Sequence, residues 1–118
     1  MFRLQVETHF DAAHFIPGYK GPCGTLHGHR WLARAYWVFD KLDKLGIAAD
    51  FRKLKTALEI ATEDWDHANL NEVLAETPPT AEHLAVILYK RLSIRTKGLD
   101  RVEIEETPGC IVAYKERA

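Results

Sequence analysis

His27 and His29 are separated by a single glycine, and Cys23 stands four residues before the first of them in the run CGTLHGHR. On an extended chain, side chains two residues apart point to the same side, and imidazole is the commonest metal ligand among side chains. A third histidine, His14, closes the run FDAAH and shares the parity of Phe10 and Ala12. If the segments carrying His14 and His27 pair as a hairpin, the three rings meet across the ladder. Three imidazoles with a fourth position open are the ligand set of a catalytic zinc, whereas structural zinc sites are closed and use thiolate freely. Singly, each histidine reads as an exposed or half-buried polar residue; together they point to a metal. Cys23 leaves two readings, a fourth ligand or a reactive thiol beside the metal. The flanking glycines suit a mobile, exposed thiol and favour the second.

Asp66 and His67 are adjacent in WDHANLN. A carboxylate that orients an imidazole near a thiol is an acid-base device. Adjacent side chains on a helix do not face each other, so the pair requires the helix to have ended. The alternative is a last helical turn in which His67 interacts with the dipole. In RVEIEE, Val102 and Ile104 mark the inward face, and strict alternation adds Glu106 to it while Arg101, Glu103 and Glu105 face water. A buried carboxylate needs a donor, and a ligand with paired N–H groups would satisfy Glu106; a twist turning it to solvent is the other reading. Cys110 reads as a small core residue.

These residues need a scaffold. Strict alternation from Phe2 to Phe10 predicts a half-buried strand, and the Gly- and Pro-dense stretch IPGYKGPCG predicts a loop. The aromatic and branched run Trp31 to Phe39 predicts a second strand with its odd positions inward. Behind Asp50, a good N-cap, Phe51, Leu54, Leu58, Ala61 and Trp65 recur at helical spacing, and behind Thr80 so do Leu84, Ile87, Leu88 and Leu92. RVEIE and CIVAYK around Pro108 and Gly109 predict a terminal hairpin. The order β-β-α-α-β-β implies an α+β fold, a four-stranded antiparallel sheet with two helices packed on one face, in a single domain over residues 1–118.

With 47% hydrophobic and 28% charged residues the composition is that of a soluble globule, and a chain of 118 residues can bury enough surface to fold without a structural metal. Sixteen Lys and Arg against 17 Asp and Glu give no basic field for nucleic acid. No apolar run is long enough to span a bilayer. Two cysteines without a pairing framework or a secretory segment make the cytoplasm the expected compartment.

Six motifs in order, FDAAH, CGTLHGH, DF, DHANLN, PTAEH and EETPGC, resemble the 6-pyruvoyl-tetrahydropterin synthase family over essentially the whole chain. The spacing from Cys23 to His27 and the short loop between Phe15 and Gly24 look most like its bacterial branch, the 6-carboxytetrahydropterin synthases of queuosine biosynthesis. Trp65 stands where the family often has leucine. The resemblance implies one zinc ion per subunit on His14, His27 and His29, with Cys23 as catalytic thiol, Asp66 and His67 acting with it, and Glu106 anchoring the pterin ring beside Thr107. It further implies the tunnelling fold, trimers paired into hexamers with sites between subunits, and 7,8-dihydroneopterin triphosphate as substrate. The carboxy branch would release acetaldehyde and triphosphate; the pyruvoyl branch keeps the carbon chain. A non-enzymatic, zinc-stabilised pterin-binding protein is the remaining alternative.

Overall fold

Alternating polarity gives the first two strands their register. In the computed structural model, which describes residues 1–116, β1 (Phe2–His14) and β2 (His27–Phe39) form one antiparallel hairpin running from the pair Phe2 and Phe39 to the pair His14 and His27. Val6, Phe10, Ala12 and His14 of β1 and Trp31, Ala33, Ala35 and Trp37 of β2 face the same side and are buried. β1 runs four residues past the alternation that ends at Phe10, because Ala12 and Ala13 carry no polarity signal yet pair with His29 and Gly28.

The helices cover that face. α1 (Phe51–Thr62) starts at Asp50, whose carboxylate accepts the Arg52 N–H at 2.9 Å. It continues as a 3-10 turn, Glu63–Trp65. The Ala68–Asn69 segment is β3, the four-residue helix Leu70–Val73 is α2, and α3 (Ala81–Arg95) starts at Thr80, whose hydroxyl accepts the His83 N–H. Leu54, Leu58 and Ala61 of α1 and Leu84, Leu88 and Leu92 of α3 pack onto the sheet in one core with Phe10, Trp31, Trp37 and Trp65. Burial of each such side chain stabilises the fold by about 1.5–3 kcal/mol before entropy is counted.

β4 (Leu99–Thr107) pairs antiparallel with β2, and β5 (Cys110–Tyr114) with β4, around a turn in which Gly109 takes φ +86°. The fold is α+β, but the sheet is not four-stranded and antiparallel. It has five strands in the order β3-β1-β2-β4-β5, and β3 lies parallel to β1 through Ala12 with Ala68 and Ala13 with Asn69. A two-residue strand shows no alternation; its pairing with Ala12 and Ala13 follows directly on the bonds of Asp11 to Asp66 and His67.

The face away from the helices is polar but not simply wet. Glu105, expected in water, is only 9% exposed. Arg34, from the neighbouring strand, bonds it at 2.8 Å and Glu7 at 2.9 Å; the cross-strand pairing supplies the partner that burial demands. Cys110 departs in the opposite sense: it begins the edge strand and is exposed. Among the described residues no helix is long and apolar enough to cross a membrane.

Candidate active site

Strand parity delivers the three histidines to one place. The ring centroids of His14 and His27 are 4.6 Å apart, of His27 and His29 4.6 Å, and of His14 and His29 5.3 Å, and one nitrogen of each lies within 4.8 Å of the others. Trp31 forms the floor, with its ring edge-on to His14 at 4.8 Å and to His29 at 5.5 Å. Backbone carbonyls fix two of the rings. His14 Nδ1 is 2.7 Å from the Pro79 oxygen and His27 Nδ1 is 2.7 Å from the Thr25 oxygen. A carbonyl only accepts, so each Nδ1 carries the proton and each Nε2 presents its lone pair.

His14 is fully buried, and its Nε2 has no hydrogen-bond partner. The nearest charged atom is Glu106 Oε1 at 3.2 Å. With Nδ1 bonded to the Pro79 carbonyl, a neutral ring would turn a lone pair toward this carboxylate, an arrangement that a cation between them would relieve. Burial, with smaller contributions from His27 and His14, holds His29 below the usual imidazole range against the opposing pull of Glu106. That favours the neutral ring a metal needs. The donor set therefore fits a divalent metal such as zinc, with His14, His27 and His29 as ligands.

Glu106 does point inward, to the histidine cluster, where a register shift between Glu105 and Thr107 breaks the β4–β5 ladder. It lines a cavity of about 280 Å³ together with His29, Leu32, Thr107 and Pro108. A second hollow of about 410 Å³, lined by Ile16, Glu82 and Cys110, shares the same carboxylate. A larger groove of about 580 Å³ between α1 and α3 carries no histidine or thiol.

Cys23 lies in a 3-10 turn, Pro22–Gly24, half-buried and outside the cluster of histidine nitrogens. Its carbonyl accepts the Ile16 N–H at 2.7 Å, which ties the thiol-bearing turn to the chain leaving His14. Gly24 is required by close approach: a Cβ there would collide with the Tyr19 carbonyl oxygen. The loop is closely folded rather than open, so its thiol has a defined place.

At Asp66 and His67 the helix has ended. His67 takes φ +57°, in the left-handed region, and its Nδ1 lies 3.0 Å from Asp66 Oδ2. Both are held against β1 by Asp11, whose N–H donates to Asp66 Oδ1 at 3.0 Å and whose carbonyl accepts the His67 N–H at 2.6 Å. The Asp11 N–H, followed by His67, holds the Asp66 carboxyl below the ordinary carboxylate range. Arg30, bonded to Asp11 through Nε and Nη2, does the same for Asp11. The imidazole of His67 is 80% exposed, and no hydrogen bond or ion pair among the described residues joins it to the histidine cluster.

The pattern of the 6-pyruvoyl tetrahydropterin synthase family matches residues 3–117. The chain belongs to that family. It is 34% identical to a 6-carboxy-5,6,7,8-tetrahydropterin synthase of Synechocystis sp., over 91% of this chain and 88% of that protein. It is 33% identical to a 6-pyruvoyl tetrahydrobiopterin synthase of Drosophila melanogaster, over 80% of this chain and 62% of that one. The solved 6-pyruvoyl tetrahydropterin synthase of Caenorhabditis elegans superposes with a TM-score of 0.85 at 26% identity, covering 98% of this chain and 96% of its own.

In this tetrahydropterin synthase family member, some supporting residues are not evident from type and spacing. Asn71 bonds both backbone groups of Phe15, at 2.9 and 3.0 Å, and so fixes the chain just after His14. Asp11 acts on the Asp66–His67 pair through its backbone. The asparagines of DHANLN are the only sequence hint of the first; a backbone donor leaves none. The strained His67 backbone also makes a prediction. Left-handed φ costs a residue with a Cβ about 1–2 kcal/mol, and glycine returns about 0.4–1 kcal/mol of that to unfolded-state entropy. His67→Gly is expected to melt at or slightly above the parent temperature, within about 1 kcal/mol. A clear loss of stability would show that the imidazole is there for the fold.

Proposed function

We propose that the chain, as a single domain over residues 1–118, is a zinc-dependent 6-carboxy-5,6,7,8-tetrahydropterin synthase acting in the cytoplasm on the route to queuosine. It would convert 7,8-dihydroneopterin triphosphate to 6-carboxytetrahydropterin, releasing acetaldehyde and triphosphate. The observation that carries this reading is the unpartnered Nε2 of buried His14 among three imidazoles, with a thiol on a separate, ordered turn.

Zinc on His14, His27 and His29 would supply Lewis acidity toward the side-chain hydroxyls of the substrate. Cys23, as thiolate, accepts a proton from the polarised side chain. His67 exchanges the partner proton; its Nδ1 is turned to Asp66, which leaves Nε2 for the substrate. Glu106 would accept the paired N–H groups of the pterin in the hollow it lines with Thr107. The exposure of His67 and its separation from the histidine cluster support a site between subunits, in which the pair would come from a second copy of the chain. Trimers paired into hexamers would satisfy that need, and exposed edge strand β5, with Ile111 half in solvent, offers a surface for it.

Product analysis tests the assignment. Zinc-loaded protein incubated with 7,8-dihydroneopterin triphosphate is expected to release acetaldehyde and 6-carboxytetrahydropterin in equal amounts. A 6-pyruvoyl product without acetaldehyde would transfer the chain to the other branch. Pterin bound without turnover would leave a binding protein.

A further inference from the structure

Segment 61–67, which delivers Asp66 and His67, is fastened on two sides. The sheet side is the backbone of Asp11. On the helix side the polar fastening among the described residues is the side chain of Arg91 of α3. Its Nη1 donates to the Ala61 carbonyl at 2.8 Å and to Asp64 Oδ1 at 2.8 Å, and its Nη2 donates to Asp64 Oδ2 at 3.1 Å. Its guanidinium carbon stands 5.1 Å from the centroid of the Trp65 ring. One fork thus holds the end of α1, the middle of the 3-10 turn, and the ring of the residue before Asp66.

We propose that Arg91 is a positioning residue for the Asp66–His67 pair. A 3-10 turn has poor internal hydrogen-bond geometry and needs outside support to keep one shape. Trp65 is fully buried against Phe10 at 5.4 Å, yet its Nε1 has no hydrogen-bond partner, so packing and the cation above it set its orientation. Left-handed His67 follows two residues later, and such a backbone persists only where its surroundings over-determine it. As a device for global stability the clamp is poorly placed: the Arg91 side chain is 36% exposed and that of Asp64 45%, where ion pairs contribute little. A two-pronged guanidinium contributes direction instead, which lysine cannot reproduce. Arg91 touches no reacting atom; it acts by fixing where the imidazole stands.

The inference rests on the reading of His67 as an acid-base group, and the test separates the two. Arg91→Met, Arg91→Lys and Asp64→Asn are made in the full chain and compared by long-range proton–nitrogen spectra of the His67 ring, zinc content, and steady-state kinetics with 7,8-dihydroneopterin triphosphate. In the parent His67 Nδ1 lies 3.0 Å from Asp66 Oδ2, so the ring proton is expected on Nδ1. Arg91→Met is expected to mix the two tautomers and to lower kcat about a hundredfold, with KM and bound zinc unchanged. Arg91→Lys recovers little, and Asp64→Asn, which keeps the Ala61 and Trp65 contacts, falls between. An unchanged His67 spectrum and kcat in Arg91→Met, even with a lower melting temperature, overturns the proposal. If the parent shows no turnover but Arg91→Met still mixes the tautomers, the functional reading fails and the positioning role stands.

Discussion

His27→Ala protein is expected to keep its fold and lose its zinc. His27 is half-buried, and the one hydrogen bond of its side chain among the described residues runs from Nδ1 to the Thr25 carbonyl. Losing that bond costs the fold about 0.5–1.5 kcal/mol. The metal depends on it far more. Three imidazoles meet within 4.8 Å, and removing one leaves a two-ligand site, well short of the three protein ligands a catalytic zinc requires. Loss of an outer-shell partner alone typically costs 10–100-fold in metal affinity, so removal of a ligand is expected to cost more than about a hundredfold. Dialysed His27→Ala should carry almost no zinc by elemental analysis and turn over in proportion to what remains. His9→Ala is the control, since His9 lies outside the cluster. Full zinc occupancy in His27→Ala, with activity intact, would remove the histidine cluster from the proposed site.

The histidine cluster was legible because a strand has a period of two. His27 and His29 follow the odd face of Trp31, His14 follows the even face of Phe10, and one hairpin register then puts His14 opposite His27. What orients the rings was not legible. The acceptors are the carbonyls of Pro79 and Thr25, and any residue type could provide them. The same holds for Asp11, which anchors the Asp66–His67 pair by its N–H and C=O just before β3 adds a parallel edge to the sheet beside Ala12 and Ala13. Parity also assigned Glu105 to the outer face correctly without revealing that Arg34 would cover it there. A face can be read from one strand; its burial depends on the neighbour. Cys110 shows the converse, an apolar setting in the sequence that becomes an exposed edge because, among the described residues, β5 is the last strand of the sheet.

Replacing Cys23 is expected to have the opposite signature to replacing His27: zinc kept, turnover lost. The thiol stands apart from the three ring nitrogens, on a turn closed by the Ile16 N–H and by the tight approach of Gly24 to Tyr19. Those restraints are backbone contacts and survive in Cys23→Ala, so the loop keeps its shape. If the thiolate is the group that takes the proton, its removal costs the rate that a positioned base contributes, about 10²–10⁴-fold in kcat. Bound zinc should remain near one ion per chain, and KM should move little, because alanine changes neither the hollow around Glu106 and Thr107 nor the metal ligands. Cys23→Ser sharpens the comparison. It restores size and a hydroxyl, but a hydroxyl is a far weaker acid than a thiol, so serine is expected to rescue little. Were Cys23 instead the fourth ligand of a closed structural site, Cys23→Ala would shed zinc and lose stability together, as structural zinc sites do. Metal content and melting temperature measured on the same sample therefore decide between a thiol that holds zinc and one that works beside it.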